Sequence, residues 1–80
     1  MDLNIRSKVR EHISRRLLRK HDSSAFADSE SLFGSGRLDS LDALETVVFL
    51  ESTYAVDFTK NGFDIALIDS VDAISALARK

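Results

Sequence analysis

The chain has 80 residues, 44% hydrophobic and 30% charged, with no cysteine, no proline and a net charge of −2. That length holds one small domain, and that balance suits a folded globule over a disordered chain. The composition excludes a disulfide scaffold, a zinc–thiolate site and a thiol nucleophile of the chain's own; no apolar run approaches the roughly 20 residues that span a bilayer, and without a secretory signal the expected location is the cytoplasm.

Residues 1–20 place Ile5, Val9, Ile13 and Leu17 at four-residue steps, which keeps them on one helix face. Arg6, Arg10, Arg15, Arg16 and Arg19 fall largely outside that stripe, and a helix is expected over about 3–20. Asp2 at its start and Arg19 with Lys20 at its end complement the helix dipole. These twenty residues carry seven basic and two acidic side chains, and the remaining sixty carry four basic and eleven acidic ones. Two readings stand: ordinary charged solvent faces, or an acidic part that docks on a basic partner.

Residues 21–38 are rich in serine, glycine and aspartate and lose the periodicity. So long a loop in so small a domain is unusual unless packed or functional, and Phe26, Leu32, Phe33 and Leu38 are expected to pin it over the core.

A second helix is expected over 40–54, capped by Asp39 and Ser40. Leu41, Leu44, Val47, Val48, Phe49, Leu50 and Tyr54 occupy more than one face of it. In a protein this small no helix is buried on all sides, so one apolar face is expected to meet a partner. Residues 55–62 read as a connection, 63–68 as one helical turn, and 70–79 as a last helix with Val71, Ile74, Leu77 and Ala78 inward.

The run LDSLDAL at 38–44 is echoed by IDSVDAI at 68–74. Two helix starts with the same capping residues explain the echo, which still offers two serines, Ser40 and Ser70, for any chemistry at this motif. His12 and His21 are the only histidines, and each reads as a surface or capping residue. No G-x-S-x-G elbow, H-E-x-x-H pair or phosphate loop is present. The basic first helix lacks interleaved aromatics, so nucleic acid is not an expected partner.

The stretch LFGSGRLDSLDALETVVFLESTYAVDF, residues 32–58, resembles an acyl carrier protein, or more broadly a phosphopantetheine-binding carrier domain. The matching features are L-F-x-x-G, D-S-L, an apolar-rich helix ending L-E, and V-D-F; F-D-I-A-L-I-D-S-V-D-A-I resembles the family's third and fourth helices. The first helix matches only in length and pattern. The resemblance implies an all-α four-helix bundle, with three longer helices, a short third helix and a long loop between the first two. It implies that Ser40, within the motif Asp39–Ser40–Leu41, carries 4′-phosphopantetheine donated from coenzyme A. The cofactor's thiol would hold an acyl or aminoacyl group as a thioester, which supplies the sulfur the chain lacks. A helix N-terminus favours the phosphodiester's negative charge, while Asp39 adds a carboxylate beside it that is expected to serve the transferase's metal or basic groups. Ser70 matches the unmodified start of the last helix.

The resemblance also makes the second helix the recognition helix. Leu41, Leu44 and Val48 would be its apolar contacts and Asp39, Asp42, Glu45 and Glu51 its acidic ones, although simple core packing also accounts for Leu44 and Val48. The implied partners are a phosphopantetheinyl transferase, an acyl- or aminoacyl-activating ligase, and downstream transferases or synthases. The chain would be a monomeric substrate of these enzymes and no enzyme itself. It departs from the family's usual pattern in its basic first helix and in Ser52, Thr53 and Ala55, where acids or polar residues are usual. That pattern points to a specialised fatty-acid, polyketide, peptide or lipid pathway. The alternative is a small helical adaptor with no prosthetic group.

Overall fold

A computed structural model of the chain describes residues 2–59 and 62–79. Its α-helices are α1 (Asp2–Arg19), α2 (Ser40–Tyr54) and α3 (Val71–Ala78). The short third helix expected before the last one is a single 3-10 turn, Ile65–Ile68, so the described residues hold three α-helices and no strand. Positions 60 and 61 of the expected connection, and the side chain of Asp2, lie outside the described residues.

The four-residue step of α1 does what its spacing predicts. Val9, Ile13 and Leu17 are fully buried, and Ile5 packs at the edge of the same cluster. Across from them lie Val71 and Ile74 of α3, and Ile68 from the 3-10 turn. Leu77 and Ala78 are partly buried against this core. α1 ends in a Schellman-type turn: Asp22 N–H donates to the Leu17 carbonyl and His21 N–H to that of Leu18, with His21 in the left-handed region at φ 62°. His21 is thus a helix-stop residue.

Residues 20–39 carry no helix or strand, yet are tied down at both ends and the middle. Leu32 and Leu38 are buried, and Phe26 and Phe33 pack against the core. Polar ties do the rest. Arg37 bonds the carboxylates of Asp22 and Glu30 and the carbonyls of Ser24 and Ala25. Arg10 lies over the Phe26 ring, 4.3 Å from its centre, and bonds Asp28. Asp69, just before α3, accepts from the amides of Phe33 and Gly34 at 2.7 and 3.2 Å and from the Ser31 hydroxyl. Burial would raise the carboxyl pKa of Asp69, but these donors outweigh it and hold it below the usual range. Gly36, at φ 86°, turns the chain where a side chain would be strained, and Leu38 N–H then closes onto the Leu32 carbonyl just ahead of α2.

The seven basic residues of the first twenty divide sharply. Arg6, Arg10, Arg16 and Lys20 all bind carboxylates elsewhere in the chain: Asp28 and Asp72, Asp28, Asp42, and Asp39 with Asp42. Much of the contrast between a basic first helix and an acidic remainder is therefore consumed inside the fold. Neither expected reading, solvated faces or a basic partner, covers these pairs.

Candidate functional site

The two copies of the D-S-x-D-A echo start helices in different registers. At α3 the serine is the cap: the Ser70 hydroxyl oxygen accepts from Ala73 N–H at 3.1 Å, and Asp69 turns away to the loop. At α2 the aspartate is the cap. Asp39 Oδ1 accepts from the amides of Leu41 and Asp42, and Asp42 Oδ2 accepts in return from Asp39 N–H at 2.9 Å, a reciprocal capping box. Ser40 is thereby moved one place inward, to the first residue of the helix. It is exposed, and its hydroxyl has no hydrogen-bond partner among the described residues. The expected capping role falls to Asp39 alone.

Asp39 is doubly engaged. Besides the two amides, its Oδ2 accepts from Lys20 Nζ at 2.6 Å. The Lys20 bond and the Asp42 amide hold its carboxyl pKa down to about 2. The same ammonium sits 3.1 Å from Asp42 Oδ2. The positive end of α2 is thus largely occupied by the chain's own carboxylate, a point the expected phosphodiester site did not include.

Asp42 requires a correction. It was expected among the exposed acidic contacts, but it is only 1% exposed. Arg16 Nε donates to its Oδ1 at 2.8 Å, Lys20 reaches its Oδ2, and its side chain closes the capping box. A buried carboxylate with this partner set joins α1 to α2 and offers nothing to an approaching protein.

The inward face of α2 is Asp42, Ala43, Thr46 and Leu50, two of them polar and one small. Thr46 donates its hydroxyl proton to the Asp42 carbonyl at 2.8 Å and lies 2.9 Å from His12 Nε2. With that proton committed, Thr46 is the acceptor, so His12 carries its hydrogen on Nε2. The imidazole stacks on Phe49 at 4.6 Å. Burial, then the neighbouring Arg16, lower the His12 pKa below its usual value. His12 is therefore an interhelical clamp, neither the surface nor the capping residue expected.

With small and polar groups inward, the bulky ones face out. Leu41, Leu44 and Val48 are 57, 58 and 48% exposed. Glu45 and Glu51 are exposed and form no ion pair among the described residues. Core packing thus does not account for Leu44 or Val48. Beside them is an open, almost wholly apolar depression of about 430 Å³, lined by Ser40, Ala43, Leu44, Val47, Phe63 and Ile65. Phe63 and Ile65, which the sequence did not single out, form its far wall. Phe58 supports Phe63 edge-on at 5.7 Å, and Phe49 is held on the α1 side by His12.

The structure therefore brings Asp39, Ser40, Leu41 and Leu44 together at one end of α2, with Glu45, Val48 and Glu51 along the same helix, and withdraws Asp42 from them. Sequence reasoning missed Lys20, Arg16, His12 and Thr46. One signal for Asp42 was available: it stands three residues after Asp39, where a capping box turns the side chain back. No helix among the described residues is long and apolar enough to cross a membrane. No protein-family model, curated protein or solved structure matches the chain.

Proposed function

We propose that this chain is an acyl carrier protein, a cofactor-bearing substrate of other enzymes, with 4′-phosphopantetheine attached at Ser40. One observation carries the reading: Ser40 presents an exposed hydroxyl with no internal bond at a fixed helix start, while its counterpart Ser70 has its hydroxyl committed to a cap. A phosphoryl acceptor needs such a group. Its two neighbours are Asp39, which caps the helix by accepting from the Leu41 amide, and exposed Leu41, and neither covers it. When bound, the prosthetic group supplies the thiol that carries cargo as a thioester.

The depression beside Ser40 favours an aliphatic acyl cargo over an aminoacyl one, because its lining offers few polar partners. Leu41, Leu44 and Val48, with Glu45 and Glu51, form the face that the transferase, an activating ligase and downstream synthases would meet. In this reading Ile65–Ile68 stands for the short third helix of a four-helix carrier bundle. An adaptor without a prosthetic group would use the same exposed apolar side chains, but it has no need of the free Ser40 hydroxyl.

The test is intact-mass analysis of the apo chain after incubation with coenzyme A and a promiscuous phosphopantetheinyl transferase. A single phosphopantetheine mapped to Ser40 is the expected result. No addition to a protein shown to be folded would favour the adaptor, and addition at Ser70 would mean the wrong copy of the echo.

A further inference from the structure

Three of the seven cations in the first twenty residues bind no carboxylate elsewhere in the described chain: Lys8, Arg15 and Arg19. All three are exposed. Arg15 meets only its own helix neighbour Glu11, at 3.4 Å, and Lys8 and Arg19 form no ion pair among the described residues. Intervals of seven and four residues put them on one face of α1. They form a ridge, spaced along the helix axis by about 10 Å from Lys8 to Arg15 and about 6 Å from Arg15 to Arg19. In the wider interval the ridge overlooks an open depression of about 250 Å³ between α1 and α2, lined by Lys8, Glu11, His12, Arg15, Phe49 and Thr53. The stacked rings of His12 and Phe49 give it an aromatic side. From α2 it receives Phe49 and Thr53 and no carboxylate, so α2 does not answer Lys8 and Arg15 across the groove.

We infer that this ridge is a docking surface for an acidic helix of another protein, with carboxylates at i, i+4 and i+11 and an apolar side chain at i+7. Laid antiparallel to α1, such a helix sets its carboxylates against Arg19, Arg15 and Lys8 in turn. Its apolar side chain then lies over the depression, where Glu11 rejects a further acid. The same Glu11 sorts the candidates. A nucleic acid or an anionic lipid surface presents uninterrupted negative charge, which a carboxylate inside the ridge opposes, and three cations are few for either. A protein places each charge separately, and can match a ridge of mixed sign. The groove shares no lining residue with the depression beside Ser40, nor with Leu41, Leu44 and Val48. The inference therefore does not depend on the carrier reading, and a helix on α1 leaves those α2 residues uncovered.

The experiment titrates the full chain with a synthetic helical peptide that carries Glu at i, i+4 and i+11 and Leu at i+7, followed by backbone-amide NMR. Shifts are expected along residues 8–19 and at Phe49 and Thr53, weakening as salt rises. Replacing the three glutamates with glutamine should weaken binding about tenfold, and Lys8→Ala or Arg15→Ala about two- to fivefold each, the range of exposed ion pairs. Both side chains are exposed, so these variants should keep the wild-type circular dichroism. Arg15→Glu should lose the acidic peptide and bind instead a version with Lys at i+4, which a ridge of mere net charge would not do. No response to the acidic peptide, equal binding of the same residues in scrambled order, or no rescue of Arg15→Glu overturns the inference. So does an equal or stronger response to a thymidine oligonucleotide or to mixed phosphatidylglycerol and phosphatidylcholine vesicles, which would make the ridge a general anion surface. A salt-sensitive dimer of the chain alone, abolished by Arg15→Glu in sedimentation, would make the occupant a second copy and overturn it too. Each of these results leaves the test of Ser40 untouched.

Discussion

Arg16 Nε donates to Asp42 Oδ1 at 2.8 Å, and this contact joins the last turn of α1 to the first turn of α2 inside the protein. It turns the recognition-helix picture partly inside out. An acid expected to greet a partner is a strut, and its neighbour three places on, Glu45, keeps the exposed position.

Asp42 and Glu45 should therefore behave as opposites. Asp42→Ala strands Arg16 and opens the capping box, with an expected loss of about 3 kcal/mol in urea unfolding. Asp42→Lys should be worse still. Glu45→Lys should stay within about 0.5 kcal/mol of wild type. Equal effects at the two positions would mean that Asp42 is not buried in solution.

The two serines of the echo separate in the same assay. Ser70→Ala removes a cap and should lose about 1 kcal/mol, whereas Ser40→Ala removes a hydroxyl with no partner and should be neutral. Function should divide the other way. Ser40→Ala should abolish phosphopantetheine uptake, and Ser70→Ala should leave it intact.

His12 sets an acid limb on stability. Its folded-state pKa lies below its ordinary value of 6.5, so the unfolded chain binds the proton more readily. Stability from this group is full above about pH 6.5 and is lost as pH falls towards the folded value. Thermal melts between pH 8 and 5 should show that decline, and His12→Phe, which can still stack on Phe49, should flatten it. The lowered carboxylates act further down. The contribution of Asp39 is present above its ordinary 3.8 and fades as pH approaches about 2.

Asp69 holds the long loop to the start of α3, and the loop in turn delivers Asp39 and Ser40 to α2. Asp69→Ala leaves the amides of Phe33 and Gly34 without an acceptor, with an expected loss of about 2 kcal/mol. Amide hydrogen exchange should then rise across residues 31–38 before it rises in α1. Unchanged protection there would show that the buried side chains of Leu32 and Leu38 suffice to hold the loop.

Local features were legible in the sequence because local chemistry fixes them. The four-residue step of α1, the caps at Asp39 and Ser70, and the anchoring of the loop by Leu32 and Leu38 follow from spacing and residue type. The rotation of α2 was not legible in its residues alone: the resemblance implied Leu41, Leu44 and Val48 outward, as they are, but put Asp42 with them. Bulk and hydropathy argue for Leu44 and Val48 inward and Asp42 and Thr46 outward. The observed orientation depends on Arg16 and His12, 26 and 34 residues away, which satisfy the two buried polar groups. Nor could composition tell that Arg6 finds Asp72 across 66 residues. Charge counts record how many ions a chain has and nothing about which of them meet.

The sidedness of α2 also bears on descent. Asp42, Ala43, Thr46 and Leu50 hold the helix in the protein, while Leu41, Leu44 and Val48 contribute to its outer surface. The two groups share one helix and no side chain. A lineage could remodel the outer set step by step, taking on new clients, and every intermediate would keep the inner set that folds it.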